Sequence, residues 1–167
     1  MINASVWGVE ETSRLAEKLV LNTRLALEAA GGEVGEFLRD TIRLHIQEQD
    51  LDWPALSPST IAKKNNDERA WIDTGFLYQN IALSAQRQGN VMHYRVGLPA
   101  NLVHPISQLP VALIAAWNEF GTANAPPRPL FRPAVQEVKE HVRSKFATFF
   151  QDGLMSAWKG KPLKSAW

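Results

Sequence analysis

The chain has 167 residues, a length that suits one domain burying about 70% of its unfolded surface, and its lack of cysteine excludes disulfides and thiolate metal sites. No window approaches the roughly 18 apolar residues of a membrane span, and Met1 to Glu11 has neither a basic start nor an apolar core, so a soluble chain not exported by the usual route is expected. The net charge of +1 conceals an asymmetry: residues 1–50 hold five Lys/Arg against nine Asp/Glu, a balance of −4, whereas residues 81–167 hold ten against four, a balance of +6.

Thr12 or Ser13 is placed to cap a helix carrying Ala16, Leu19, Val20, Thr23, Ala26, Leu27 and Ala30 at three- and four-residue spacing, with Gly31-Gly32 as its stop. Val34, Phe37, Leu38, Thr41, Ile42 and Ile46 predict a second helix to about Gln49, and the two form an antiparallel hairpin. Trp53-Pro54 opens a turn. Ser57-Pro58 reads as N-cap and first position of a short helix to about Lys64, and residues 65–69 are polar and expected to move. Asp73 or Thr74 then caps a further short helix with Leu77 inward.

A two-residue turn at Gly89-Asn90 sets a hairpin register of Gln88 opposite Val91, Ala85 opposite Tyr94, Leu83 opposite Val96 and Ile81 opposite Leu98. One face is then apolar, and the other pairs Gln86 with His93 and Ser84 with Arg95. Three prolines make 98–110 a loop, long enough to suggest an outside contact. Ala112, Ala115 and Ala116 favour helix over strand for 111–120, with Gly121 as the stop.

Pro126, Pro127, Pro129 and Pro133 lock φ and remove backbone donors, which predicts a stiff, extended connector between 121 and 133. A last amphipathic helix follows from Val135, Val138, Val142, Phe146, Phe149 and Phe150, ending near Gly153. The expected organisation is one domain over 1–157 and a flexible basic arm over 158–167. The fold class is α+β, with two N-terminal helices and a long C-terminal helix packed on a small antiparallel sheet.

Asp73-Thr74-Gly75, preceded by apolar Trp71-Ile72, has the tripeptide with which aspartic proteases place one carboxylate of a dyad. That motif belongs in a strand-rich barrel, whereas the surrounding pattern is helical, so Asp73 reads as a helix cap. His45, His93, His104 and His141 lack metal-ligand spacing, and no phosphate-binding or nucleophile-elbow motif occurs, so no catalytic, cofactor or metal residue is assigned. Arg128, Arg132, Lys139, Arg143 and Lys145, with Lys159, Lys161 and Lys164, support an alternative nucleic-acid-binding or regulatory reading.

The box Glu119-Phe120-Gly121-Thr122, followed by Arg128-Pro129-Leu130-Phe131-Arg132-Pro133-Ala134 and a closing helix, resembles the tail-completion and head–tail joining proteins of tailed bacteriophages, including the virion morphogenesis proteins of Mu-like and P2-like phages. Upstream, Trp53, Leu56, Ser57, Thr60, Ile61 and Lys64, then Ile72-Asp73-Thr74-Gly75 and Leu77, extend the likeness over 53–150. Pro127 and Leu130 depart from the family's wording, as do a longer helical N-terminus and the insertion at 98–110.

The resemblance implies a non-enzymatic virion protein of the neck, assembled in the bacterial cytoplasm. Copies form a ring, hexameric to match the tail tube, that meets the tube protein and the head connector or stopper, with a passing contact to DNA. The expected assembly interface comprises Glu119, Phe120, Gly121, Thr122, Arg128, Pro129, Phe131 and Arg132. Arg128 is expected to pair with Glu119 or with an acidic residue of the next copy, and Phe131 to be the apolar anchor.

Overall fold

The computed structural model describes residues 9–159. Along them run α1 (Val9–Glu48), α2 (Pro58–Lys63), α3 (Phe76–Asn80), β1 (Ala82–Gln88), β2 (Val91–Gly97), α4 (Val111–Phe120) and α5 (Phe131–Trp158). The architecture is α+β, with long N- and C-terminal helices and a two-stranded antiparallel sheet. The chain divides into two compact units, one of residues up to Val34 with those from His141 onward, the other Gly35–Glu140. Of the expected basic arm, Trp158 closes α5 instead, and all but Lys159 of the remainder lies outside the described residues.

The two expected N-terminal helices are one. α1 runs for 40 residues through Gly31 and Gly32, both buried, and neither takes the positive φ that closes a helix. Leu27, Ala30 and Val34 carry the apolar spacing across the pair, so propagation continues despite about 1 kcal/mol per glycine. α5 likewise does not end at Gly153. A Cβ there would lie 3.0 Å from Ala26 Cβ and 3.0 Å from Thr23 Cα, so this glycine lets the two helices of the first unit approach closely.

In the second unit, Gly35 does the same for the sheet, since a Cβ on it would meet the side chain of Leu83 at 2.5 Å. The hairpin keeps the expected register from Gln88↔Val91 to Leu83↔Val96 and adds Ala82↔Gly97. Ile81 and Leu98 fall beyond the ladder: Ile81 is fully buried in the core and Leu98 packs against it.

That core joins Ile42 and Ile46 of α1, Ala70 and Trp71 of the loop, Ile81, Ala115 of α4, and Leu130 and Ala134 at the start of α5. Leu130, just before α5, and Ala134 and Val138 within it are buried, while Val135, expected inside, is 54% exposed. Arg43 reaches from α1 to the carbonyls of Ile81 (2.8 Å) and Gln79 (3.3 Å), fixing α1 to the junction of α3 and β1.

Ser57 caps α2 as expected, accepting from the Thr60 amide, with Pro58 first in the helix. Asp73 does not cap α3. Its N-cap is Gly75 with φ 77°, the Thr74 hydroxyl accepts from the Phe76 amide, and Asp73 is exposed in a bend.

Candidate functional site

The site grows from the end of α4. Gly121 terminates the helix with φ 77°, and a Cβ there would lie 2.8 Å from Pro127 N and 2.9 Å from Ala125 O. Only glycine satisfies both the backbone angle and the returning chain. The return is a tight turn and not the straight strap expected. The Thr122 amide donates to Ala125 O at 2.8 Å, and the Thr122 hydroxyl accepts from the Asn124 amide. The chain is then extended only to Leu130, because Phe131 and Arg132 already belong to α5.

Glu119 and Arg128 do not pair with each other. Glu119, in the last turn of α4 and 9% exposed, turns its carboxylate onto the first amides of α5: Leu130 N at 2.7 Å and Phe131 N at 3.1 Å on one oxygen, Arg132 N at 3.3 Å on the other. These amides have no partner within their own helix, and the partial positive charge of a helix N-terminus suits a carboxylate. A remote residue thus supplies the cap that the connector lacks, and Pro133 in the first turn costs nothing because its missing donor is not needed.

Arg128 is 5% exposed and points inward. Its Nε donates to Pro54 O and its Nη2 to Ala55 O, both at 2.8 Å, so the guanidinium fork grips the turn after Trp53. Burial draws its pKa below the ordinary arginine value. The Arg128 amide donates to Asn118 O at 2.7 Å.

Two indoles complete the lock. Trp71 Nε1 donates to Arg128 O at 3.0 Å and Trp53 Nε1 to Pro129 O at 2.7 Å. Trp71 stacks edge-on to Phe131 with centroids 5.8 Å apart and lies 6.5 Å from Trp53. It also holds φ at 63°, an unusual value for a bulky residue that surrounding packing must maintain. Gln49 anchors the same loop, its side-chain amide bonding both the N–H and the C=O of Ala70.

Of the expected interface residues, Arg128 is therefore inside, Glu119 is buried, and Phe131 is half-buried against the core. Phe120 is 70% exposed, and Arg132 also faces solvent. Phe120, Phe131, Arg132 and Val135, with Val96, Leu98, Ala112, Ala115 and Ala116, line a mostly apolar groove of about 650 Å³. Trp71 and Asn118 were missed as partners of the connector. A tryptophan whose indole N–H needs an acceptor was the available signal for Trp71, but the carbonyl lies 57 residues away.

A second polar group surrounds His104, which is 6% exposed. Its Nδ1 accepts from the Ser107 amide at 3.3 Å and the Ile106 amide at 3.4 Å, and its Nε2 lies 3.3 Å from the Thr74 hydroxyl. With Nδ1 occupied as an acceptor, neutral His104 carries its proton on Nε2 and donates to Thr74, so it cannot serve as a base toward that hydroxyl. His45, 5% exposed, lies between Asp50 (Nδ1 to Oδ1, 2.8 Å) and Glu137 (Nε2 to Oε2, 3.2 Å). The second contact is close in distance without hydrogen-bond geometry. Among the described residues no group of three or more His, Cys, Asp or Glu is arranged to hold a metal ion.

Comparison with family models, with curated proteins and with solved structures finds no match.

Proposed function

We propose that this protein is a structural subunit of a tailed-bacteriophage neck, which ends the tail tube and joins it to the head connector. The single observation that supports this reading is convergence. Trp53, in the first of the boxes that carry the resemblance, precedes Glu119 and Arg128 by more than 60 residues, yet Trp53 with its turn, Glu119 and Arg128 meet in one hydrogen-bonded lock. Their joint role is to hold the 121–130 segment in one shape, which leaves little entropy to lose when a neighbour docks. The surface offered is the groove beside Phe120, lined also by the exposed Val135 and Arg132. Copies close into a ring, hexameric to match the tube, through heterologous contacts.

Arg128 is committed to carbonyls inside the fold, so a nucleic-acid-binding reading loses one of the cations it rests on. Phe120→Asp tests the proposal, because the side chain is exposed and the variant should fold. Mixed with tails assembled in the absence of this protein, the parent should complete them and the variant should not. Full infectious yield from Phe120→Asp, at a melting temperature equal to the parent's, would sink the assignment of this surface.

A further inference from the structure

In residues 9–34 of α1 the apolar side chains do not keep to one stripe. Ala26 and Ala30 are buried, and the contact to α5 runs through small groups, Ala26 and Thr23 against Gly153. Val20 remains 68% exposed, Leu21 53% and Leu25 37%. One neighbouring helix covers a stripe of about 100°, and a helix that is apolar well beyond that is built to be covered on further sides. α5 shows the same surplus: Phe150, Leu154 and Trp158 recur every four residues on one face, with Phe150 46% and Trp158 73% exposed.

The charges indicate what covers them. Residues 9–34 carry five Glu against three Arg/Lys, and residues 141–159 carry Arg143, Lys145 and Lys159 against Asp152 alone. Within one copy this complementarity is already used by Lys145 on Glu33 at 2.9 Å. A second α1 beside α1 would set acidic beside acidic, whereas α5 beside α1 repeats the favourable arrangement.

We propose that this helix pair docks on the helix pair of a second copy, with α1 of one against α5 of the other and the Leu21–Leu25 and Phe150–Trp158 stripes forming the seam. The inference deepens the assembly reading by naming a contact between copies, and it rests on that reading only for its purpose.

The chain contains no cysteine, so single-cysteine variants report the contact cleanly. Full-length Leu25→Cys and Phe150→Cys are purified separately, checked by circular dichroism, mixed and mildly oxidised; Leu21→Cys with Leu154→Cys is the second pair should either of the first misfold. The mixture should yield a covalent species of twice the chain mass, well in excess of that from either variant alone, and added salt before oxidation should reduce it. No such species in either mixture, or equal amounts in the unmixed samples, would overturn the α1-to-α5 contact. Tail completion by a chain whose helices do not cross-link would remove this contact and leave the neck assignment, and cross-linking by a chain inert toward tails would do the reverse.

Discussion

The connector between α4 and α5 and the helix pair of residues 9–34 and 141–158 solve the same problem, close backbone approach, by opposite means. The connector is held by directed polar bonds: a carboxylate on three amides, a guanidinium on two carbonyls and two indoles on two more. The helix pair comes closest where side chains are smallest, with Gly153 against Ala26 and Thr23, and leaves Val20, Leu21, Phe150 and Trp158 exposed. Buried polar bonds specify one geometry because breaking any of them orphans a partner, whereas contacts of small residues permit approach without demanding a particular partner. The first region accordingly holds a preset surface beside Phe120, whereas the second carries the exposed stripes proposed for a contact between copies.

The largest effect expected is at Trp71. Trp71→Ala removes the indole from the core and orphans the Arg128 carbonyl, and should cost about 3–5 kcal/mol by denaturant unfolding. A loss below 1 kcal/mol would mean that the connector is held from elsewhere. Glu119→Ala comes next, since it strips three helix-terminal amides of a charged acceptor and should cost about 2–3 kcal/mol. Glu119→Gln retains an acceptor oxygen and should recover part of that loss. If Gln and Ala melt alike, the carboxylate is not acting as the cap.

Arg128→Lys sharpens the comparison further. Lysine keeps the charge but cannot present the planar fork to Pro54 O and Ala55 O, so about 1–2 kcal/mol should be lost despite charge conservation. On the other side of the comparison, Gly153→Leu should separate the helices at their closest approach, costing about 1–3 kcal/mol. Hydrogen exchange should quicken in residues 20–30 while amides of the connector stay protected. Quickening in both regions alike would show that the two are not independently held. The smallest effect is expected at Asp73, exposed in its bend, where Asp73→Asn should stay within about 0.5 kcal/mol.

Local chemistry was legible without coordinates. The Gly89-Asn90 turn set the strand register residue by residue, Ser57-Pro58 started α2, and Gly121 ended α4. Each depends on neighbours within a few positions. The pairing of Glu119 with Arg128 failed for an instructive reason. Opposite charges in one segment suggest each other, but helix α4 placed the carboxylate at the amides opening α5, which satisfy it equally well, and burial gave the guanidinium two carbonyls from a turn more than 70 residues away.

The glycines divide along the same line. By itself the sequence determined where the backbone needs a positive φ in a tight turn, because that requirement is local: Gly89 and Gly121 follow from their immediate flanks. Only the tertiary structure decided that Gly31, Gly32 and Gly153 are helical rather than terminating. A glycine that stops a helix and one that lets another element approach are identical in sequence. What separates them is the backbone they are held in: Gly121 takes φ 77° where the chain turns back on itself, whereas Gly153 stays helical with Thr23 and Ala26 packed where its Cβ would stand.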